Sequence, residues 1–360
     1  MQKRTNTAKW NGTRWRIDVQ KDGIRKSFYS SKKGRNGQRE ANKKADEWLD
    51  DNLINQNIKV SKLYIEYIKE KELNVGTSRY KNIQSIFNKW ILTNIGNINV
   101  SNLTEQNLQD ILNKQYKKGL SYKRIQETKI VLCDFMKFAR KNNITKLIPE
   151  NLEVNKRAYK GERTALQPTD IQKLFTSNKT TKFGVEVEDK FINIYRFITL
   201  TGLRRGEMLG LKWSDIQNNK IYIKRSVNEY REITEGKTAN AKRVIPLTPI
   251  VKKLLSQIPK KSKYIFNDND LSLRPNYITE SFKKYAKYNH LSATKLHELR
   301  HTFISLTDSD LPLNTLKDIV GHSKTMNTVK TYGHTLDGEM EKANQIINNK
   351  FTEILESKFN

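Results

Sequence analysis

The sequence predicts a multidomain chain, mainly α-helical with small β elements. Three observations lead there. At 360 residues the chain is longer than one hydrophobic core usually supports, a limit of about 250–300 residues. One short segment near the N-terminus alternates apolar and polar residues, whereas most of the remaining chain repeats apolar residues at helical spacing. The pattern also breaks at an unpatterned basic stretch, NLEVNKRAYKGERTA. The expected layout is a three-stranded β domain over 1–55, a helical bundle over 56–150, a basic linker over 151–165, and an α+β domain with a helical tail over 166–360.

The first element is the alternation in WRIDVQKDGIRKSFYS. Trp15, Ile17 and Val19 should face one side and Phe28 should return against them. Asp22-Gly23 between the two runs is a strong hairpin signal. A helix near Gln38 to Leu53 comes next, with Ala41, Ala45, Trp48 and Leu49 on one face. Residues 1–50 carry 14 Lys and Arg against 6 Asp and Glu. That charge lies on a folded pattern and not on a tail, which favours a sheet placed in a DNA groove over a merely solvated basic face.

The bundle is read from four amphipathic runs. Leu63, Tyr67 and Ile68 mark the first, and Tyr80, Ile83, Phe87 and Trp90 the second. Gly119 should stop the third, and Ser121 should cap the fourth, whose stripe is Ile125, Leu132, Phe135 and Ala139. Aromatics at this spacing belong to a core and not to base-stacking platforms. Lys123, Arg124, Lys137, Arg140 and Lys141 lie on a charged face that is either solvated or set against phosphates. Cys133, in VLCDFMKF, reads as a buried helix residue.

After Gln167 helices are interrupted by strands. Thr169 should cap a helix through DIQKLF. DKFINIYRFITLTG is apolar on nearly every side and should be central. NKIYIKRSV should be a strand, and EYREITEGKTANAKRVIPL a polar hairpin turning near Gly236 to Ala241 and ending at Val244-Ile245. YIF, a helix through NYITESFKKYAKY and the helix LHELRHTFIS come next. The tail is amphipathic through Ala343, Ile347, Phe351 and Ile354/Leu355.

A formal charge of +29 bounds the partners. Self-repulsion on that scale calls for a polyanion, nucleic acid first and an anionic membrane surface second. No apolar run approaches the roughly 18 residues of a spanning helix, and the first residues have no apolar signal region. A single cysteine excludes an internal disulfide framework and a cysteine-based zinc site. A reducing cytosol is the expected compartment.

All five histidines fall between His290 and His334. His297 and Arg300, three apart on a helix, are placed to share a face. His297-Glu298-Leu299-Arg300-His301 also spells H-E-x-x-H, so a zinc hydrolase with Glu298 as base has to be weighed. Arg300 inside the motif adds positive charge beside a cation, and no third ligand follows on that helix. Arg204, in TGLRRGE, follows a buried helix and a turn forced by Gly202. It needs an anionic partner, either phosphate or Glu207.

TGLRRGEMLGLKWSDI, GKTANAKRVIPL, LHELRHTFIS and LPLNTLKDIVGHSKTMNTVKTYGHT, in this order, resemble the tyrosine recombinases, the phage-integrase family. The resemblance covers about 170 residues, and a basic β domain followed by a helical bundle is similar to the arm-binding and core-binding domains of such integrases. It implies an α+β tyrosine-recombinase catalytic domain, DNA cleaved and rejoined through a 3′-phosphotyrosyl link, and integration or excision of a phage or other mobile element. Arg204 and Arg300 would hold the non-bridging oxygens of the scissile phosphate. Lys237 would protonate the leaving 5′ oxygen, with Lys242 its rival. His297 would assist as a hydrogen-bond partner or general acid/base, His322 would donate to the phosphate, and Tyr332 would attack. Arg204 is preferred to Arg205 because the family's arginine directly follows Gly-Leu. Asp310 stands before Leu311-Pro312, where many relatives carry glycine before the proline, a departure in a turn.

The physics is consistent with that chemistry. Two arginines, a lysine and two imidazoles stabilise phosphoryl-transfer charge without a metal. A cationic pocket favours the phenolate of Tyr332. No nucleotide or other cofactor and no metal is expected. The implied partners are double-stranded DNA at core-type and arm-type sites, three further copies in a tetramer, and an excisionase or a host DNA-bending protein. No membrane is expected, and the place is the cytoplasm of a bacterial host, on the nucleoid when DNA-bound. The tail is expected to dock either on its own domain or on a neighbouring protomer. The alternatives are a non-catalytic DNA-binding regulator of the same fold and a type IB topoisomerase-like enzyme.

Overall fold

A computed structural model describes residues 4–21, 23–50, 57–161, 164–234, 242–321 and 338–357. The chain divides into two compact units, Met1–Gly161 and Glu162–Asn360.

The first unit begins with an antiparallel sheet of β1 (Lys9–Trp10), β2 (Trp15–Lys21) and β3 (Ile24–Ser30), in that order. Trp15 pairs with Ser30 and Lys21 with Ile24, so the hairpin closes where Asp22-Gly23 signalled it. The alternation works as read: Ile17 and Val19 are buried, and Trp15 and Phe28 pack beside them. Helix α1 (Gly34–Asp50) covers that face with Ala41, Ala45, Trp48 and Leu49. It starts earlier than the apolar period alone suggested.

The helical part comprises α2 (Val60–Asn74), α3 (Thr77–Ile86), a π turn over Phe87–Ile91, the short α4 (Leu92–Ile95), α5 (Glu105–Lys117) and α6 (Tyr122–Lys141). Gly119 takes a φ of 73° two residues beyond α5, and the Ser121 hydroxyl accepts from the Arg124 N–H to cap α6. Tyr67, Phe87 and Phe135 are wholly buried against one another, as core aromatics. Arg124 pairs with Glu127, and Arg140 donates to the Leu147 carbonyl. Cys133 is half-buried, not buried, with its thiol pushed up in pKa by burial. Residues 151–161 form no helix or strand and turn once, where the Ala158 N–H donates to the Asn155 carbonyl, but they are not a bare spacer. Leu152, Val154 and Ala158 are seated in the bundle core, because the chain there still has apolar side chains to hide.

The second unit opens with α7 (Pro168–Thr176). Its cap is Gln167 and not Thr169. Pro168 takes the first helical position, where its missing N–H costs nothing, and Asp170 accepts from the Gln167 N–H. A hairpin of β4 (Lys179–Lys182) and β5 (Val185–Glu188) comes next, which the sequence pattern did not suggest. Helix α8 (Ile192–Thr201) is the central helix, with nine of its ten residues buried. Then come α9 (Arg205–Leu209), β6 (Ile216–Gln217), β7 (Lys220–Ile223), β8 (Ser226–Val227), β9 (Ile233–Thr234), β10 (Arg243–Pro246), α10 (Pro249–Ser256), α11 (Pro275–Tyr288), α12 (Leu296–Thr307), α13 (Leu313–Val320) and α14 (Glu339–Glu356).

Val244 and Ile245 do form a strand, but β10 lies on β7 in a sheet of order β10-β7-β6, while β9 pairs with β8. The expected turn at Gly236 to Ala241 lies outside the described residues. Tyr264–Phe266 meets Lys212 only as a single bridge. The tail helix α14 docks on its own unit. Ala343, Ile347, Phe351 and Ile354 are buried, Phe351 stacks on Phe303, and Asn344 and Gln172 tie its two ends.

Candidate active site

The second unit gathers three arginines around one helix end. Helix α13 stops at Gly321, whose φ of 68° turns the chain out of the helix. The last carbonyls of a helix have no partner within it and carry partial negative charge. Here guanidinium groups take them. Arg243 Nε donates to the Ile319 carbonyl at 2.7 Å, Arg300 Nη2 to that of Val320 at 2.7 Å, and Arg204 Nη2 to that of Gly321 at 2.7 Å.

Arg300 comes from α12. Leu296, Leu299, Phe303 and Thr307 line the inner face of that helix, and Arg300 points inward with them, only 2% exposed. Its other hydrogen bond goes to the Gly202 carbonyl at 2.6 Å. Gly202 ends α8 with a φ of 64°, and a Cβ there would lie 2.5 Å from the Phe303 ring. Burial, with the Arg204 charge adding to it, lowers the Arg300 pKa to about 9. Among the described residues, this buried cation donates to two carbonyls and to no carboxylate. An anion delivered to the pocket would restore its charge balance.

Arg204 precedes α9 and is more open, its side chain 41% exposed. Its Nη1 donates to Glu207 at 2.7 Å, and Glu207 in turn accepts from the Arg204 N–H at 2.9 Å. So the structural pair with Glu207 exists, and the Arg204 side chain stays partly exposed beside it. Arg205 is turned away, to Thr279, the Pro275 carbonyl and Glu229. Glu207 also receives Arg243 Nη1 at 2.8 Å and Nη2 at 2.9 Å. Burial would raise its pKa, but the Arg243 hydrogen bonds and charge, with Arg204, hold it at about 2.

His297 is exposed on α12, whereas Arg300, three residues on, is buried. Its ring meets that of His301 edge to face at 4.9 Å, and His301 is half-buried. Glu298 is buried and closes the start of α12, accepting from the N–H groups of Thr294 at 2.9 Å and Lys295 at 2.8 Å. That use removes the base from the H-E-x-x-H reading. Among the described residues no group of three His, Cys, Asp or Glu could hold a metal. Lys237, His322 and Tyr332 lie outside the described residues; Lys242 is described and exposed.

Arg243 was missed by sequence reasoning. Its signal is registry: it stands two residues before buried Ile245 and opposite buried Ile223, on the core face of β10. An arginine at a core-facing strand position requires a buried partner.

A cluster of guanidiniums at one helix end of an α+β unit preceded by a helical bundle suits an enzyme that handles the phosphodiester backbone. Comparison with known proteins gives the particular class. The model of the phage integrase family matches residues 164–339, and that of the phage integrase N-terminal SAM-like domain matches residues 59–116. The ICEBs1 integrase of Bacillus subtilis is 24% identical over 294 residues, covering 74% of this chain and 77% of that protein. A XerC-like tyrosine recombinase of Caldanaerobacter subterraneus is 24% identical, covering 98% of this chain and 100% of that one. In fold, the chain is similar to the Tn1549 transposon integrase in complex with a circular intermediate DNA (TM-score 0.63, 19% identity, 80% of this chain and 99% of that one). It is also similar to the lambda integrase tetramer bound to a Holliday junction (TM-score 0.58, 17% identity, 91% and 98%). The chain belongs to the phage-integrase family of tyrosine recombinases, site-specific enzymes that transfer DNA strands.

Proposed function

We propose that this chain is the integrase of a phage or other mobile element, cutting and rejoining DNA at a crossover core. The observation that carries the reading is Arg300, buried and, among the described residues, donating to carbonyls alone, beside the more open Arg204 on the next carbonyl of the same helix end. The two guanidiniums suit the non-bridging oxygens of one phosphate. In this reading the Tyr332 oxygen attacks phosphorus, a 3′-phosphotyrosyl bond forms, and the bond to the 5′ oxygen breaks with Lys237 giving it a proton. His322 donates to the phosphate, and His297 assists from the exposed side of α12. The freed 5′ hydroxyl of a second strand then attacks the phosphotyrosine and releases Tyr332. Each step exchanges one phosphodiester for another, so no nucleotide is consumed.

The sheet over residues 1–55 takes arm-type sites, and the bundle over 56–150 takes core-type sites with the 166–360 domain. Four copies act on two DNA sites, with an excisionase or host bending protein setting direction. The bacterial nucleoid is the place of action; no helix among the described residues is long and apolar enough to cross a membrane. Trapping on a nicked duplex that spans the core tests the reading. The wild-type chain should form a covalent adduct and Tyr332→Phe none. An adduct formed by the Phe variant, or none by the wild type, refutes it. Relaxation of supercoiled DNA without a specific site would favour the topoisomerase alternative.

A further inference from the structure

Arg243 has a buried side chain, 7% exposed, and each of its three guanidinium nitrogens donates a hydrogen bond. It reaches three segments at once. It belongs to β10, the strand that comes after residues 235–241, where Lys237 lies. Two of its nitrogens grip Glu207 on α9, the carboxylate that also holds Arg204. Its Nε holds the Ile319 carbonyl, two residues before Gly321 and three before His322. A Cβ on Gly321 would come within 3.0 Å of the Arg243 guanidinium, so that turn is fitted to this side chain.

We propose that Arg243 is a positioning residue for strand cleavage, fixing Arg204 through Glu207 and holding the carbonyl end of α13 that Arg204 and Arg300 also grip. It touches no DNA in this scheme and acts through Glu207 and the end of α13. The inference rests on the recombinase reading above. A planar guanidinium satisfies two carboxylate oxygens and a carbonyl in fixed directions; an ammonium is one point charge and cannot.

The groups facing Glu207 are Arg243 from β10, Arg204 with its own backbone N–H from α9, and, through space, Arg300 from α12. Without Arg243 the buried carboxylate loses its main stabilising cation. It then becomes protonatable at mildly acidic pH, and protonation releases Arg204. A residue that only fills space would leave the pH profile unchanged.

The test uses the full chain, with a nicked duplex spanning the crossover core of the DNA that flanks its gene. Single-turnover adduct formation, DNA affinity and thermal unfolding are measured for wild type, Arg243→Lys and Arg243→Met. Displacements near 1 Å at an active site cost on the order of 100-fold, so both variants should lose about that factor in adduct rate with affinity within about twofold of wild type. The Met variant should also slow more steeply than wild type as pH falls from about 8 to about 5. If the Met variant fails to fold, the Lys variant, which keeps the charge, still decides. A wild-type rate in the Lys variant overturns the proposal, and so does a loss of rate matched by an equal loss of affinity. Absence of any wild-type adduct would instead overturn the recombinase reading, and this inference with it.

Discussion

Gly202→Ala offers a prediction whose size is set by the structure. Gly202 sits at a φ of 64° and a ψ of 15°, and a Cβ built there lies 2.5, 3.0 and 3.1 Å from three carbons of the Phe303 ring. A left-handed backbone costs a non-glycine residue about 1–2 kcal/mol. Forcing extra carbon into a packed core costs about 1–3 kcal/mol more. Neither neighbour yields easily: Phe303 is 1% exposed and stacks on Phe351, and the Gly202 carbonyl is held by Arg300. The expected loss is about 2–5 kcal/mol, or roughly 5–15 °C in the melting temperature of a domain this size. Gly338→Ala is the control. Its φ of 90° imposes a similar backbone penalty, but nothing lies within 4 Å of the added carbon. Calorimetry on the full chain should therefore place Gly202→Ala well below Gly338→Ala in stability. Adduct formation should fall in the first variant, because Arg300 is carried on the same helix as Phe303. Equal melting temperatures for the two variants would refute the steric argument.

Other outcomes can be checked alongside it. Glu207 is held at about 2 against an ordinary 4.5. Its pKa is depressed, so its stabilisation is complete above an ordinary carboxylate pKa and is lost as pH falls toward about 2. That shift corresponds to roughly 3 kcal/mol; the stability gap between wild type and Glu207→Gln should shrink over that window in acid titrations followed by circular dichroism, and a constant gap would contradict it. Phe351→Ala should cost about 3–5 kcal/mol, since the ring is wholly buried. Because α14 docks on its own unit, that loss should not vary with protein concentration, and a concentration-dependent melting point would argue against it. Removing residues 1–50 should weaken recombination more than cleavage of an isolated core site, and should flatten the fall of log K with log salt. Equal loss of both activities would count against a separate arm-binding role.

Much of this was legible because each signal was local. Asp22-Gly23 fixed a hairpin, Gly119 and Ser121 fixed a helix stop and start, and the all-round apolar run before Gly202 marked the central helix. Registry between distant segments was not. Nothing in KRVIPL says that β10 lies on β7 and not on β9, since either pairing hides Ile245. The β4–β5 hairpin carries Val185 and Phe183 outward, so it has no buried stripe to read. At the site, Arg204 and Arg300 were found from their motifs and Glu207 as a tether. Arg243 was not, because it contacts α9 and α13, 36 and 76 residues away along the chain. The H-E-x-x-H letters misled for a related reason. Spacing says which side chains share a helix, but the capping duty of Glu298 depends on the two N–H groups in front of it.

The point where the chain enters the second unit has a mechanical consequence. The Leu166 N–H donates to the Thr302 hydroxyl at 2.8 Å, and that hydroxyl donates back to the Glu298 carbonyl at 2.9 Å. Leu166 and Thr302 are both buried. Thr302 is two residues from Arg300, on the helix that carries that arginine into the cluster. The chain entering at Thr164 is therefore tied to the helix of Arg300 through Thr302, and one residue earlier to Ser292, whose hydroxyl donates to the Ala165 carbonyl at 3.1 Å. Spacers inserted ahead of Thr164 would lengthen a tether, whereas a change at Leu166 would reset the helix that holds Arg300.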